Sequence, residues 1–312
     1  MIGGSAYNHQ MQPHPLSGVH AAAISPCHPD GSPDQAGLPD LLDFLADRGC
    51  HGALISGTTG EGPSFSMRER LSFWEAAALW RKSRPEFHLL AGTGTPSLGE
   101  TRELNQAAFE LGFEAVVVLP PYFFRSAHES GLFDWFADLF ETSVPVGKFL
   151  LGYHIPAVSG VSLPLPLLQK LAGAYPAKFG GLKDSSGSLD SAAAYISGLP
   201  GKAVLVGNDK LLSTSLAAGA AGCITALANL RSPESRFIYD AFQRGEETST
   251  KQAALDSMRS AMDRLPPTPA YLKSMLHALH GLKPWSVRLP LQDFTPQQTA
   301  TAVQQLGDLG PH

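Results

Sequence analysis

The chain has 312 residues, 43% of them hydrophobic, and a formal net charge of −5. That length buries a full core as one domain or two, and barrels of parallel strands reach it as a single unit. The mild acidity gives no basic footprint for nucleic acid, and no apolar stretch approaches the roughly 20 residues that span a bilayer.

Residues 1–16 are polar and hold Gly3, Gly4, Pro13 and Pro15. Without a basic n-region or an apolar h-region they read as a flexible lead-in, not a signal peptide. Eight short apolar runs follow: Gly18–Ile24, His51–Ile55, Phe87–Ala91, Ala115–Leu119, Lys148–Tyr153, Phe179–Lys183, Ala203–Gly207 and Gly222–Thr225. Segments with helical periodicity lie between them. Four carry a serine followed three residues later by Glu or Gln, the pattern of a capping box. They start at Ser32, Ser66, Ser97 and Ser126. Pro33 falls at a first helical position, where its missing N–H costs nothing.

Short apolar strands joined by helices imply parallel pairing and right-handed crossovers. Eight such units predict a (β/α)8 TIM barrel over residues 17–235. A doubly wound open sheet competes, but no glycine fingerprint of a dinucleotide fold follows the first strand. After Asn229 only helices are predicted, at Pro233–Arg244, Glu247–Arg264, Pro269–Gly281 and Pro296–Leu309. They make residues 236–312 an appended helical region.

Cys27, Cys50 and Cys223 show no ligand spacing. An odd number without a framework reads as free thiols in a reducing cytoplasm. His277 and His280 could share one helix face, but no third ligand stands near, so no metal site is read.

The polar residues that carry chemistry fall at strand ends. Lys183 closes the sixth run, in Gly180-Gly181-Leu182-Lys183-Asp184. A lysine at the rim of a core is costly to keep charged, and a neutral amine forms a Schiff base with a ketone. Tyr153 closes the fifth run, and Gly57-Thr58-Thr59-Gly60-Glu61 follows the second. The seventh leads into Asn208-Asp209 and the eighth ends in Ile224-Thr225. In a barrel of this kind all of these share one mouth. A phenol, a lysine and a hydroxyl-rich turn there suit carbonyl chemistry. Each also has a plain structural reading. The turn can be a helix N-cap, Tyr153 a core tyrosine bonded to backbone, and Lys183 a side chain snorkelling to solvent. His154 and Asn208 read as structural, and Asp184 as locally paired.

These motifs resemble, in order and spacing, those of the dihydrodipicolinate synthase/N-acetylneuraminate lyase superfamily. The likeness runs from about Gly18 to Leu291. It rests on Gly57-Thr58-Thr59-Gly60-Glu61, Tyr153-His154-Ile155-Pro156, Gly181-Leu182-Lys183-Asp184 and Gly219-Ala220-Ala221-Gly222-Cys223-Ile224-Thr225, with Asn229 after it. The resemblance implies a cytoplasmic homotetramer of barrels that needs no metal or separate cofactor. It implies an imine between Lys183 and a 2-oxo acid, usually pyruvate. Thr58 and Thr59 would hold the carboxylate, with Tyr153, aided by Thr59, relaying protons. Ser185, Gly207, Asp209 and Ile224 would contact the rest of the substrate.

The resemblance also separates branches. Synthases that condense pyruvate with aspartate semialdehyde carry an arginine where this chain has Val158. Ile155-Pro156-Ala157-Val158-Ser159-Gly160-Val161 is closer to the lyase pattern. Lys210 replaces an acidic position, Ser185 a threonine and Ala226 a serine, departures that point away from neuraminate itself. In Pro120-Pro121-Tyr122-Phe123-Phe124-Arg125, Phe123 stands where a relay tyrosine is usual. The expectation is a lyase or aldolase that cleaves or forms a 2-oxo-4-hydroxy acid, a sugar-acid derivative, giving pyruvate and an aldehyde. The alternatives are a keto-deoxy-sugar-acid dehydratase, dihydrodipicolinate synthase, and a catalytically silent binding protein.

Overall fold

The computed structural model describes residues 14–307. Eight parallel strands close into one barrel in chain order. They are β1 (Gly18–Ala22), β2 (Gly52–Ile55), β3 (His88–Gly92), β4 (Ala115–Val118), β5 (Phe149–His154), β6 (Phe179–Asp184), β7 (Ala203–Val206) and β8 (Gly222–Thr225). The helices are α1 (Leu38–Asp47), α2 (Met67–Arg81), α3 (Leu98–Glu110), α4 (Glu129–Thr142), the short α5 (Pro156–Ser159), α6 (Leu165–Ala174), α7 (Leu189–Gly198) and α8 (Leu212–Ala217). Beyond the barrel come α9 (Ala228–Gln243), α10 (Ser249–Asp263), α11 (Thr268–His280) and α12 (Pro296–Gly307). The fold is a (β/α)8 TIM barrel followed by helices. The lead-in expected over 1–16 lies, up to residue 13, outside the described residues, as does the stretch beyond Gly307 of the last expected helix.

Side chains alternate across each strand. Ala22, Leu54, Leu90, Val117, Leu151 and Leu205 fill the barrel with Tyr153 and Ile224. Val19, Ala53, Leu89, Val116, Leu150 and Leu182 face the helices. One irregularity decides the site. The β5–β6 register runs Leu150↔Phe179 and then Leu151↔Gly181, so Gly180 is skipped and Tyr153 pairs with Lys183. Without this bulge Leu182 would stand opposite Tyr153 and Lys183 would face the helices. The skip needs glycine: Gly181 has φ 135°, and a Cβ there would collide with the Ala203 carbonyl.

Strand β1 is shorter than expected: Ala23 N still donates to Leu54 O of β2 at 3.1 Å, but Ile24 N is diverted to Asn229 Oδ1 at 3.1 Å. Asn229 Nδ2 also donates to Ala22 O and Ala226 O, both at 2.8 Å. One amide therefore fastens the end of β8 to the end of β1. At the opposite end of the barrel, His20 and His88 stack 5.7 Å apart. Burial holds His20 at about 3 and His51 nearby at about 4, far below an ordinary imidazole.

Two of the four expected caps hold. Ser66 and Glu69 form the full box on α2, and Ser97 accepts from Glu100 N at 3.3 Å on α3. Ser32 does not cap a helix. It donates to Asp30 at 2.6 Å, and Asp34 instead accepts from Gly37 N, leaving Pro39 rather than Pro33 in the first turn of α1. Ser126 does not cap α4 either: His128 precedes it, and the Glu129 carboxylate pairs with Lys170 at 2.9 Å instead of folding back. Helix α9 begins before Pro233 and bends at Arg231 (φ −123°, ψ 35°), since Pro233 has no N–H for the turn before it. Among the described residues no helix is long and apolar enough to cross a membrane. Cys27, Cys50 and Cys223 are buried and free.

Candidate active site

The C-terminal ends of the strands converge on one mouth. The bulge in β6 turns Lys183 inward, where it is 3% exposed. Its Nζ lies 4.3 Å from the centre of the Tyr153 ring on the next strand. The Tyr153 hydroxyl lies 3.3 Å from Thr58 Oγ1. Lysine, phenol and threonine thus form a contiguous set drawn from β6, β5 and the turn after β2. Burial pushes the Tyr153 phenol up. The Lys183 ammonium, with hydrogen bonds from Thr58, Ser185 and Lys183, outweighs it and holds the phenol below its ordinary value.

The Thr58–Thr59 turn is closed on itself. Glu61 N donates to Thr58 O at 3.0 Å and Gly62 N to Gly57 O at 2.9 Å. Gly60 O accepts from Ser25 Oγ at 2.6 Å. Thr58 and Thr59 stay half-exposed. Beneath the turn lies a small cavity, about 20 Å³, lined by Ser56, Thr58, Arg70, Leu119 and Tyr153 among others. Arg70 is 4% exposed. Its Nη1 reaches Gly92 O at 3.5 Å, and its Nε has no partner among the described residues. Burial lowers its pKa, with Glu100 and Tyr122 opposing. A buried cation beside the hydroxyls of Ser56, Thr58 and Tyr153 favours an anionic group at this end of the mouth.

The other expected residues divide. Ser185 packs against Gly207, where a Cβ would strike its hydroxyl, and its N donates to His154 O at 2.7 Å. Ile224 packs inside the barrel in the same cluster as Tyr153. Asp209 turns toward the appended helices: Oδ2 accepts from Arg259 of α10 at 2.9 Å, and Oδ1 has no partner among the described residues. His154 accepts from Leu163 N at 3.1 Å, a structural role. Asn208 accepts from Lys210 N at 3.1 Å, and Asp184 from Ser186 N at 2.9 Å. Phe123 and Phe124 are 74% and 76% exposed and meet edge to face at 5.2 Å. Val158 is 60% exposed.

Sequence reasoning missed Arg70 and the buried Lys273 of α11. A signal was present for each. Arg70 falls in one stripe with Phe73, Trp74 and Ala77, and Lys273 with Ala270 and Leu276, all buried. A charge on the apolar stripe of an amphipathic helix marks a buried partner or ligand.

Residues 15–308 match the model of the dihydrodipicolinate synthetase family. The chain belongs to this family. It is an enzyme of the lyase class, as the family's pyruvate-dependent members are. A "DapA-like lyase" of Chloroflexus aurantiacus is 36% identical over 284 residues, covering 91% of this chain and 93% of the relative. A 4-hydroxy-tetrahydrodipicolinate synthase of Listeria monocytogenes is 31% identical, covering 91% and 95%. Among solved structures, YagE of E. coli K12, a family member crystallised in complex with pyruvate, superposes with a TM-score of 0.88. It is 25% identical, covering 94% of this chain and 98% of that one.

Proposed function

We propose that this protein is a Schiff-base lyase that cleaves a 2-oxo-4-hydroxy acid, a sugar-acid derivative, into pyruvate and an aldehyde. The observation that carries the reading is the juxtaposition of Lys183 Nζ and the Tyr153 ring at 4.3 Å inside the mouth. The Lys183 amine attacks the C2 carbonyl and water leaves, giving a protonated imine. The C3–C4 bond then breaks, and its electron pair passes into the imine to form an enamine. The C4 hydroxyl proton goes to Tyr153, whose lowered pKa favours the phenolate that accepts it. The aldehyde departs, the enamine is protonated at C3, and water releases pyruvate and free Lys183. Thr58 and Thr59 hold the carboxylate, with the positive field of Arg70 beneath. Thr59 assists the proton relay, and Ser185, Gly207 and Ile224 border the remainder of the substrate, while Asp209, held by Arg259, braces the loop after β7. The imine is the only covalent device required. The exposed Phe123–Phe124 pair at the rim suits burial against another copy in a homotetramer.

A second reading is supported by one observation. Arg125 Cδ and Nε lie 2.7 Å from where a Cβ on Gly160 would fall. This sets a guanidinium beside the α5 segment, where Val158 lacks the arginine of a synthase. Condensation with aspartate semialdehyde, the 4-hydroxy-tetrahydrodipicolinate synthase reaction, is that alternative, and the names of several relatives accord with it. The test is a panel of 2-oxo-4-hydroxy acids and aspartate semialdehyde, with pyruvate, dehydration and condensation products measured together. Pyruvate release supports the lyase. Loss of water without cleavage indicates a dehydratase, and efficient condensation with no cleavage overturns the reading in favour of the synthase.

A further inference from the structure

The turn that carries Thr58 and Thr59 is held from outside the barrel. Glu61, its last residue, has φ 56° and ψ 24°, a left-handed conformation. For a residue with a Cβ this conformation is strained, whereas glycine adopts it freely. The side chain compensates for the strain. Glu61 is 3% exposed and Lys273 1%. Glu61 Oε1 accepts from Lys273 Nζ of α11 at 2.6 Å. Glu61 Oε2 accepts from Arg288 N at 2.7 Å. Lys273 Nζ also donates to Ser286 O at 2.7 Å. Helix α11 and the segment after it thus hold the two oxygens of one carboxylate, Oε1 through Lys273 and Oε2 through Arg288 N. Arg288 extends the hold, since its Nη1 donates to Glu69 Oε1 at 2.6 Å, within the box that starts α2.

The backbone transmits this hold to the mouth. Glu61 N fixes Thr58 O at 3.0 Å, and Thr58 Oγ1 lies 3.3 Å from the Tyr153 hydroxyl. A shift of Glu61 therefore moves Thr58 relative to Tyr153. A buried ion pair is weak evidence for net stability, because desolvation of both charges offsets their attraction. Here its geometry specifies one backbone conformation at the point where hydroxyls meet the ligand.

We infer that the buried Glu61–Lys273 pair is a positioning device for the 2-oxo acid carboxylate, through which the appended helices set the affinity of the site. This rests on Thr58 and Thr59 being the carboxylate turn. It predicts a selective effect. Loosening the pair weakens capture of the 2-oxo acid and leaves the imine-forming amine in place.

The experiment is borohydride trapping of pyruvate on the full chain, followed by mass spectrometry across a range of pyruvate concentrations. The variants are Glu61→Gln with Lys273→Met, and Glu61→Gly with Lys273→Met. Both remove the pair without leaving one charge buried alone. Circular dichroism and thermal unfolding establish that they fold. The expected result is one adduct on Lys183 at saturation, with the half-saturating pyruvate concentration raised at least about tenfold, the scale of a lost charge-assisted contact. Glu61→Gln/Lys273→Met should be the milder variant, since a glutamine oxygen can still accept from Arg288 N. A half-saturation within twofold of wild type, with only the unfolding temperature lowered, overturns the inference and leaves the pair a staple. Failure of both double variants to fold overturns it in the same way. Wild-type protein that traps no pyruvate overturns the proposed function and this inference with it, so the two failures are distinguishable.

Discussion

Replacing Tyr153 by phenylalanine removes one oxygen and keeps the ring. The ring is 4% exposed and packed in the barrel. Its face remains beside Lys183 Nζ, so the cation–π contact, worth about 0.5–2 kcal/mol, survives. What disappears is the hydrogen bonding of the hydroxyl with Ser185 and Lys183 and its 3.3 Å contact with Thr58 Oγ1. That is long for a hydroxyl pair, whose common length is about 2.7–2.8 Å, so its net value lies near the low end of about 0.5–1.5 kcal/mol. Thr58 is half-exposed and can turn to water. With Ser185 and Lys183 also losing a partner, the unfolding temperature should fall by about 2–6 °C. Turnover should fall by about 10² or more, the usual loss of a positioned acid–base group, equal to about 2.7 kcal/mol in the barrier. A large kinetic loss beside a small stability loss separates a chemical role from a packing one. Steady-state pyruvate release, borohydride trapping and thermal unfolding of the same preparation measure all three quantities. Trapping should persist. Turnover within threefold of wild type returns Tyr153 to the packing role. Equal losses of trapping, turnover and stability also refute the assignment.

Other expectations follow from the same geometry. His20 has a folded pKa of about 3 against an ordinary 6.5. Below about pH 6.5 the unfolded chain binds a proton that the folded one refuses, so this contribution is whole above 6.5 and lost toward pH 3, at up to about 1.4 kcal/mol per pH unit. Unfolding temperatures at pH 7, 6 and 5 should fall less steeply in His20→Asn than in wild type, and equal slopes would refute the reasoning. Arg259→Leu leaves the Asp209 carboxylate, fully buried in its side chain, without its cation and should cost about 3 kcal/mol in denaturant unfolding. A cost below 1 kcal/mol would mean that water replaces the guanidinium. Val158→Arg meets no steric obstacle at 60% exposure, and should raise condensation with aspartate semialdehyde about tenfold, the value of one charge-assisted pair. No gain in that assay would place the second carboxylate elsewhere. Phe123→Tyr, at an exposed position, should fold normally and change solvent hydrogen exchange at the pyruvate methyl more than pyruvate affinity. The reverse pattern would remove Phe123 from the relay position.

The barrel was legible because its signals are local. Apolar runs of a strand's length and Ser66 before Glu69 each act within a few residues; the skip at Gly180 was not read from the sequence. Lys183 and Tyr153 were legible because strand ends share one mouth, whatever the details of packing. The strand bounds shifted where a distant side chain intervened, as Asn229 does at Ile24. Glu61 was visible as part of a turn, but its partner lies 212 residues away. No local pattern announces such a pair, except a lysine on an apolar stripe. Asp209 illustrates the same limit. The sequence sets it at a strand end facing the substrate, while its carboxylate is met by Arg259 from a helix 50 residues further on. Ser126 shows the opposite case. The capping pattern is intact, yet Lys170 draws Glu129 away.

The amide that fastens β8 to β1 sets an order on synthesis. Ala22 and Asn229 are separated by 207 residues, so the barrel has no clasp until nearly its whole length has been made. At about 5–20 residues per second, a ribosome takes roughly 10–40 s to cover that distance. Through that interval the growing sheet carries a bare edge on β1 and another on whichever strand came last. Unpaired edges of this kind are templates for joining other chains. The interval is set by topology, because β1 and β8 are neighbours in the barrel and opposite ends of its translation. A circularly permuted gene that begins between β4 and β5 would make β8 and β1 consecutive, and would shift the waiting edge to a different seam without removing it.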